Sequence, residues 1–465
     1  MSTPAWSSIF KAYDVRGIVP DQLDAKVAWA VGVGFGRFVQ ARDAATKGIV
    51  AGRDMRESGP ELARALMAGA ASTGLSVTDI GLCSTDLLYF AAGHLDRPGA
   101  MLTASHNPAR YNGIKLCLAG AAPVGEESGL SEIRAIAEEA YADAPDRPGE
   151  GLGVETRDLL SAFAEHVHGF VELDALAPLR IVADTANGMG GLVCPKVFAG
   201  LPFHLEVLFG ELDGTFPNHP ADPIQIENLA ALQARVLETG ADVGLAFDGD
   251  ADRVFLVDEK AQPLSGSTTT AIVAKAMLDK HPGATILHNC ICSHSVPEIV
   301  RENGGIPVRT RVGHSFIKGV MAETGAVFGG EHSGHYYFKD NFRADSGIIA
   351  AIVVLEVLSR SRASLSELRK PYERYADSGE INTEVADPKA VVAAVGELVA
   401  SRGATVDYFD GLTADFGGWW FNLRPSNTEP LLRLNVEASD APACAERVQE
   451  TLGLVRELGG ETAGA

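Results

Sequence analysis

The stretch VGLAFDGDADRVFLVD, residues 243–258, decides the fold class, because it places a charged loop between two short apolar runs. Runs such as VGLAF and VFLV are nearly continuous, which is typical of strands buried on both faces. Similar apolar runs occur at residues 48–52, 100–103, 180–183 and 285–287. Amphipathic stretches with helical spacing occur at residues 61–71, 229–237 and 441–454. This alternation of strand and helix predicts a layered α/β fold.

Chain length and loop-like segments indicate several domains. A chain of 465 residues corresponds to about three domains at roughly 150 residues each. Candidate boundaries are the proline- and acid-rich segment 142–153, the acidic run at 258–260 and residues 370–372. Beyond the last boundary, the run GWWFNLR at 418–424 predicts a strand followed by a final helix. The tail therefore differs in character from the three segments before it.

Composition and charge exclude several classes of protein. Hydrophobic residues make up 46% and charged residues 22%, which excludes disorder over most of the chain. No apolar run reaches the ~18 residues that a membrane span requires. The first 17 residues lack the pattern of a secretory signal, and six cysteines are too few for a disulfide scaffold, so we expect a cytoplasmic protein. The net charge of −22 argues against nucleic-acid binding but allows a small anionic ligand beside a few local cations.

The loop DGDADR at 248–253 contains three carboxylates, Asp248, Asp250 and Asp252, at alternate positions. Like charges this close repel one another unless a cation neutralises them, and oxygen ligands favour Mg²⁺ over zinc. An EF-hand is excluded, because Arg253 stands where that loop needs glycine and the flanking segments are strand-like. The loop therefore predicts either a Mg²⁺ site or a solvated acidic turn.

Three further polar loops offer groups that could contact a ligand. Residues 103–108 (TASHNP) follow an apolar run, so Ser105 stands at a strand end, where α/β folds bind ligands. In residues 329–335 (GGEHSGH), Glu331 and Ser333 could contact two neighbouring sugar hydroxyls. Residues 424–430 (RPSNTEP) combine Arg424 with hydroxyl and amide donors that suit a phosphate, although this is not a P-loop. Each loop is also compatible with an ordinary polar turn.

These four motifs, in this order, resemble those of the α-D-phosphohexomutase family, which includes phosphomannomutase, phosphoglucomutase and phosphoglucosamine mutase. The resemblance extends from residues 10–17 (FKAYDVRG) to the 424–430 loop, nearly the whole chain. It implies three related α/β/α domains and a C-terminal α+β domain around a central cleft. The domains would comprise residues 1–152 with the phosphoserine loop, 153–256 with the metal-binding loop, 257–370 with the sugar-recognition loop and 371–465 with the phosphate-binding loop.

The resemblance also implies residue roles. Ser105 would carry a phosphoryl group and, with Asp248, Asp250 and Asp252, would bind one Mg²⁺. A hexose 1,6-bisphosphate would serve as intermediate and activator. The other residues implicated in proton transfer or charge stabilisation are Arg16, Lys115 and His335, with Lys115 either a base or a plain phosphate ligand. The implied substrate contacts are Tyr13, Arg253, His314, Glu331, Ser333, Arg424, Ser426, Asn427, Thr428 and Arg433.

The implied reaction interconverts mannose 6-phosphate and mannose 1-phosphate. The loop GEHSGH at 330–335 resembles that of the phosphomannomutase or dual mannose/glucose branch of the family, which commonly has Met where this chain has His332. Ile291 and His294 stand where some enzymes acting on both mannose and glucose phosphates carry Lys and Arg. The absence of those two cations argues against dual activity but not against the mutase reaction. The alternative interpretation is a dual mutase or a phosphoglucomutase.

Two less favoured alternatives come from other classes of protein. One is a sugar-phosphate phosphatase with Asp248 as nucleophile, but Asp252 stands where that pattern needs Thr or Val. The other is a non-catalytic sensor of sugar phosphates. The expected partner is a hexose phosphate, with no nucleic acid and no membrane, and the oligomeric state is open between monomer and dimer.

Overall fold

This computed structural model describes residues 4–425 and 431–461, without the side chains of residues 314, 460 and 461. Four β-sheets, each accompanied by helices, follow one another along the chain. The strands and helices predicted above are all present, with ends that differ by only a few residues. Among the described residues, no helix has both the length and the apolar character needed to cross a membrane.

The first sheet has six strands. They are β1 (Val15–Ile18), β2 (Gly48–Arg53), β3 (Ser76–Leu82), β4 (Gly99–Leu102), β5 (Tyr111–Cys117) and β6 (Glu155–Thr156). Their order is β1-β5-β4-β2-β3-β6, with β2 parallel to β3 and β4. The helices of this part are α1 (Trp6–Ile9), α2 (Ala25–Arg42), α3 (Gly59–Ser72), α4 (Thr85–His94) and α5 (Ser131–Ala140).

The second sheet has four strands. They are β7 (Arg180–Asp184), β8 (His204–Leu208), β9 (Val243–Phe247) and β10 (Val254–Asp258). The order is β10-β9-β7-β8, and only the β9–β10 pair is antiparallel. The helices of this part are α6 (Leu160–His168), α7 (Gly190–Val197) and α8 (Ala230–Thr239).

The third sheet repeats this arrangement with β11 (Thr285–Asn289), β12 (Ile306–Thr310), β13 (Phe328–Gly330) and β14 (Tyr336–Phe338). Its order is β12-β11-β13-β14, with β14 antiparallel to β13. Its helices are α9 (Gly266–Lys280), α10 (Ser295–Glu302), α11 (His314–Thr324), α12 (Gly347–Ser361) and α13 (Leu365–Leu368). Strands β5-β4-β2-β3 of the first sheet follow the same order, so three related α/β units make up most of the chain.

The fourth sheet is antiparallel and therefore forms an α+β unit, as the resemblance implied. Its strands are β15 (Ala376–Val385), β16 (Thr405–Asp407), β17 (Leu412–Asp415), β18 (Trp419–Pro425), β19 (Leu431–Ala438) and β20 (Gly460–Glu461). Their order in the sheet is β16-β17-β18-β19-β15-β20. Two helices, α14 (Pro388–Ser401) and α15 (Ala441–Glu457), accompany this sheet.

The domain limits at 152, 256 and 370 stay predictions, and two strands bear on them. Strand β6 follows the first limit but pairs with β3 of the first sheet. Strand β10 spans the second limit and pairs with β9 along its whole length. Composition and turn signals suggested these limits, but they carry no information about which strands pair through backbone hydrogen bonds.

The first three units share one hydrophobic core. A single cluster of buried side chains includes Val50, Leu245 and Phe328 from three different sheets. Helix α12 lies within this cluster, and its residues 348–355 are all essentially inaccessible to solvent. Burial on all sides explains why this helix is apolar around its whole circumference. The three units that carry the polar loops therefore pack against one another through this shared cluster.

One buried carboxylate joins the first unit to the third. Asp86, in the first turn of α4, accepts hydrogen bonds from the hydroxyls of Ser84 and Ser346, the latter at 2.6 Å. These two serines are the N-cap residues of α4 and α12. Burial raises the pKa of Asp86 to about 7, although the hydrogen bonds from Ser346 and Ser84 oppose the rise.

This pKa predicts a pH-dependent stability. Because the pKa of Asp86 rises from 3.8 to about 7 on folding, the folded chain binds more protons than the unfolded chain within that window. The contribution of Asp86 to the free energy of unfolding therefore falls as pH rises. Urea unfolding gives the difference in free energy of unfolding between the wild type and Asp86→Asn. We expect this difference to favour the wild type more at about pH 5 than at about pH 8. An identical difference at both pH values would contradict the raised pKa.

Candidate active site

Three polar loops leave the carboxyl ends of equivalent strands. They connect β4 to β5 (residues 103–110), β9 to β10 (248–253) and β13 to β14 (331–335). In each case the second strand is antiparallel to the first, so the chain reverses at the same edge of each unit. The equivalent topology brings three loops of different chemistry to the sheet edge where α/β folds bind ligands.

Ser105 lies against the aspartate loop. Its backbone has φ +49°, in the left-handed region that non-glycine residues rarely occupy. Its N–H donates to Thr103 Oγ1 at 2.9 Å, and its hydroxyl donates to Asp248 Oδ2 at 2.7 Å. Arg253 Nη2 donates to the same hydroxyl at 3.2 Å. The structure thus brings Ser105, Asp248 and Arg253 together from two units.

The three aspartates form a buried cluster. One carboxylate oxygen from each of Asp248, Asp250 and Asp252 lies within 4.8 Å of the other two. The Oδ1 atoms of Asp250 and Asp252 are buried and have no hydrogen-bond partner in the described part of the chain. Unsatisfied buried carboxylate oxygens are costly, and a hard divalent cation takes such oxygens as ligands. The donor set therefore fits a divalent cation.

Two cations balance this cluster. Lys115 Nζ donates to Asp250 Oδ2 at 2.8 Å and to Asp252 Oδ2 at 2.6 Å. Burial alone would lower the pKa of Lys115, but the two carboxylates raise it well above its ordinary value. Arg253 Nε donates to Asp248 Oδ2 at 3.0 Å; burial nevertheless raises the pKa of Asp248, with Asp252 and Asp250 adding to the rise. Lys115 is accordingly paired with two carboxylates in this arrangement.

The third loop lies next to the cluster. His335 Nε2 is 3.7 Å from Asp252 Oδ1, and its Nδ1 is 3.0 Å from Ser333 Oγ. Glu331 is buried and accepts hydrogen bonds from the Gly313 N–H at 3.0 Å and the Tyr337 hydroxyl at 2.7 Å. Its carboxylate is thereby oriented by backbone and side-chain donors. Of the three predicted residues of this loop, His335 lies beside the aspartate cluster, and Ser333 and Glu331 lie beside His335.

An open cleft of about 660 Å³ lies between the first, third and fourth units. Tyr13, Arg311, Asp410 and Arg424 are among its lining residues. Burial, followed by the charges of Glu331 and Asp410, raises the pKa of Tyr13 to about 12. The guanidinium of Arg424 donates to Glu380 at 2.8 Å.

The other predicted contacts are placed as follows. Arg433 Nε is 3.5 Å from the same Glu380 carboxylate that pairs with Arg424. Arg16 donates to Asp14 at 2.5 Å and to the side chain of Asn107 in the Ser105 loop. The backbone of residue 314 begins α11, but its side chain is not described. Ser426, Asn427 and Thr428 lie outside the described residues.

Sequence reasoning missed contacts that support the site. Thr85 donates to Asp250 twice, from its hydroxyl to Oδ2 at 2.6 Å and from its N–H to the backbone oxygen at 3.0 Å. The short polar stretch after β3, which contains Thr85, stands at a strand end and could have drawn attention. His106 contacts Arg253, and burial and that cation lower the pKa of His106. No spacing in the sequence pointed to this contact.

Comparisons with known proteins cover nearly the whole chain. Models of the phosphoglucomutase/phosphomannomutase family match it as alpha/beta/alpha domain I at residues 7–143, domain II at 161–262, domain III at 265–375 and the C-terminal domain at 380–453. The chain is 41% identical over 460 residues to a protein of Xanthomonas campestris pv. campestris named "Phosphohexose mutases", covering 98% of this chain and 100% of the relative. It is 38% identical over 456 residues to the phosphomannomutase of Salmonella typhimurium, covering 96% and 99%.

A solved structure supports the same relationship. The phosphoglucomutase/phosphomannomutase family protein from Burkholderia thailandensis has a TM-score of 0.86 to this chain at 32% identity, and each chain is covered to 98%. The chain therefore belongs to the phosphoglucomutase/phosphomannomutase family, the α-D-phosphohexomutases. It is an enzyme of the isomerase class that moves a phosphoryl group within a hexose phosphate.

The carboxylate cluster predicts stabilisation by a divalent cation. A ligand that binds only the folded state raises its stability, so Mg²⁺ should raise the unfolding temperature of the protein pretreated with EDTA. Asp252→Asn, which removes one charged ligand, should weaken Mg²⁺ affinity at least about tenfold. Calorimetric titration measures the affinity. Asp146→Asn is the control, because Asp146 is exposed and pairs only with Lys26 among the described residues. Equal Mg²⁺ affinity in the wild type, Asp252→Asn and Asp146→Asn would mean that the cation binds at another site.

Proposed function

We propose that this phosphohexomutase interconverts mannose 6-phosphate and mannose 1-phosphate, and that Ser105 carries the phosphoryl group between substrates. The observation that supports this most directly is the position of Ser105 Oγ, 2.7 Å from Asp248 Oδ2 and 3.2 Å from Arg253 Nη2. A hydroxyl beside both a carboxylate cluster and a guanidinium suits a phosphoryl acceptor. Relatives named phosphomannomutase favour mannose phosphate as substrate.

Asp248, Asp250 and Asp252, together with an oxygen on Ser105, would hold one Mg²⁺. When bound, this ion supplies neutralisation of the charge on the transferring phosphoryl group. The protein itself supplies further positive charge at the same place. Arg253 already donates to the Ser105 hydroxyl, and Lys115 lies in contact with two of the carboxylates. Lys115 is proposed either as a base or as a plain phosphate ligand, since it lies beside Asp250 and Asp252 at the site of transfer.

The transfer proposed here balances in two steps. A free hydroxyl of the hexose phosphate attacks the phosphorus on Ser105, and the bond from phosphorus to Ser105 Oγ breaks. The proton of the sugar hydroxyl passes through a proton-transferring side chain to Ser105 Oγ, which leaves a free serine hydroxyl; the return step runs in the opposite sense. The resulting hexose 1,6-bisphosphate turns within the cleft and returns its other phosphate to Ser105. Added bisphosphate would phosphorylate Ser105 initially, which explains its proposed role as activator. His335 and Arg16 are the proposed groups for proton transfer and charge stabilisation, since one lies beside Asp252 and the other beside the Ser105 loop.

Substrate binding must serve two orientations of one sugar. We assign the phosphate that is not transferred to Arg424 and the loop residues Ser426, Asn427 and Thr428, and further contacts to Tyr13, Arg253, His314 and Arg433. Glu331 and Ser333 would contact the sugar hydroxyls, which are similarly placed in both orientations. The cations Arg311 and Arg424 at the cleft suit an anionic substrate despite the net charge of −22.

A dual mannose/glucose mutase is the second candidate. A relative in Pseudomonas syringae pv. tomato is named "Phosphomannomutase/phosphoglucomutase" and is 36% identical over 446 residues. His332 of this chain lies against Ser267 of α9, with His332 Nδ1 3.3 Å from Ser267 Oγ, and His294 stacks on Trp420. Both unusual histidines thus have partners within the protein. Turnover of mannose 1-phosphate and glucose 1-phosphate under one set of conditions distinguishes the two candidates.

Replacement of Ser105 tests the proposed chemistry. Ser105→Ala should lower turnover of mannose 1-phosphate at least about a thousandfold, because no hydroxyl remains to accept the phosphoryl group. Phosphorus NMR with Mg²⁺ and a hexose bisphosphate follows both substrate and product. The matched control is Ser72→Ala, at the end of α3. Among the described residues, the hydroxyl of Ser72 bonds only to the Gly69 carbonyl of its own helix. Wild-type turnover by Ser105→Ala, or phosphate trapped on Asp248 and released to water, would instead favour a different reaction.

Closure of the cleft is the second consequence of the proposal. The fourth unit supplies Arg424 and contacts the third unit through pairs such as Asp410 with the Val312 N–H at 2.8 Å. We expect a hexose phosphate to draw this unit inward and exclude water. Small-angle X-ray scattering should show a smaller radius of gyration with saturating mannose 6-phosphate. Arg424→Ala should show a weaker response at the same concentration. Scattering that is unchanged by substrate in the wild type would contradict closure.

A further inference from the structure

Arg56 is a buried cation that belongs to none of the groups discussed so far. It lies between β2 and α3 and is only 1% exposed. Its Nε donates to Asp54 Oδ2 at 3.1 Å, and Asp54 Oδ1 accepts the N–H of Arg56 at 3.0 Å. A guanidinium is always charged and presents its donors in a planar fork. A group of this kind is buried only where its donors have partners.

The remaining donors of Arg56 all reach the backbone of the Ser105 loop. They contact four carbonyl oxygens, those of Ser105 at 2.7 Å, Asn107 at 2.8 Å, Pro108 at 3.0 Å and Tyr111 at 2.9 Å. The first two bond to Nη2 and the last two to Nη1. The Arg56 side chain thereby donates hydrogen bonds to backbone carbonyls from residue 105 to residue 111, the segment in which the chain turns from β4 into β5.

The carbonyl of Ser105 thus bonds to the buried Arg56, while its hydroxyl bonds to Asp248. On its other side this carbonyl faces Gly249 of the aspartate loop, where a Cβ would lie 2.4 Å from the Ser105 oxygen. The left-handed backbone of Ser105 is thus held by Arg56, by Thr103 and by the close approach of Gly249. In this conformation the hydroxyl meets Asp248.

The second unit also encloses Arg56. The Phe216 ring centroid is 5.2 Å from Arg56 Cζ, and a Cβ on Gly214 would lie 2.6 Å from Arg56 Cα. Arg56 therefore lies where the two units that supply Ser105 and the three aspartates come together.

We propose that Arg56 is a positioning residue for phosphoryl transfer, which fixes the backbone of residues 105–111 so that Ser105 Oγ faces the carboxylate cluster. This inference rests on the proposed role of Ser105. Arg56 acts through the loop backbone and does not contact the reacting oxygen among its described bonds. Lysine has the same charge but a single nitrogen, so it cannot bond to two pairs of carbonyls at once.

The test compares Arg56→Lys with a matched variant. Arg369, mostly buried in the third unit, also pairs with carboxylates and donates to two carbonyls, those of Gln262 and Pro263. Arg369→Lys should lower stability while keeping kcat within about twofold of wild type. Arg56→Lys should lower kcat about a hundredfold with KM changed less than about threefold, because misplacement of a reacting group affects the chemical step.

Two readouts separate positioning from a merely structural role. Phosphorylation of Ser105 by added hexose bisphosphate, followed by mass spectrometry, should slow in Arg56→Lys by the same factor as kcat. Hydrogen exchange of the amides at 103–111 should accelerate in Arg56→Lys but not in Arg369→Lys. Wild-type kcat in Arg56→Lys, or a rise in KM alone, would overturn the inference.

A second variant covers failure of Arg56→Lys to fold. Asp54→Asn keeps Arg56 but removes the charge that orients its Nε, and it should lower kcat and accelerate loop exchange in the same direction. If Asp54→Asn folds and shows wild-type kcat and wild-type hydrogen exchange of the loop, the inference is overturned. Ser105→Ala distinguishes the two levels of the proposal. Turnover retained by Ser105→Ala defeats the proposed function, whereas an inactive Ser105→Ala beside a fully active Arg56→Lys defeats only the role of Arg56.

Discussion

Three buried carboxylates within 4.8 Å of one another place the strongest physical demand on this protein. At a separation of 4.8 Å or less, each pair of like charges repels by at least about 3.5 kcal/mol at an effective dielectric of about 20. The chain meets part of this cost with Lys115 from the first unit and with Arg253 from the loop itself. The aspartate loop is consequently satisfied only when two units are packed together, which ties assembly of the site to assembly of the fold.

The repeated topology explains how one site comes to combine unlike chemistry. Each α/β unit ends its central strand in a loop that leads to an antiparallel neighbour, so the three loops occupy equivalent places. One loop carries the hydroxyl of Ser105, the next the carboxylates, and the third Glu331 and His335. The shared core around α12 joins the units that carry these loops. The fourth unit has a separate core, and its Arg424 lines the cleft.

Prediction from the sequence succeeded where local chemistry decides the outcome. Apolar runs such as residues 243–247 became strands buried on both faces, because no polar side chain in them required water. The aspartate loop was recognisable because three alternating carboxylates are costly without a cation. The sequence did not predict the roles of Thr85 and Arg56, because their partners lie far along the chain. Thr85 and its partner Asp250 are 165 residues apart. Arg56 and its partners Ser105 and Asn107 are 49 and 51 residues apart. Neither residue stands in a pattern that indicates such a contact.

The amino-acid order alone thus determined which segments become buried strands, which loops are polar and which charges must be neutralised, since each depends on neighbouring residues. Tertiary structure decided which of those loops meet and how their groups are oriented. The left-handed backbone of Ser105 shows why: it persists because Arg56, Thr103 and Gly249 hold the residue from three sides. Such a conformation is unfavourable locally, and only contacts made between distant segments can stabilise it.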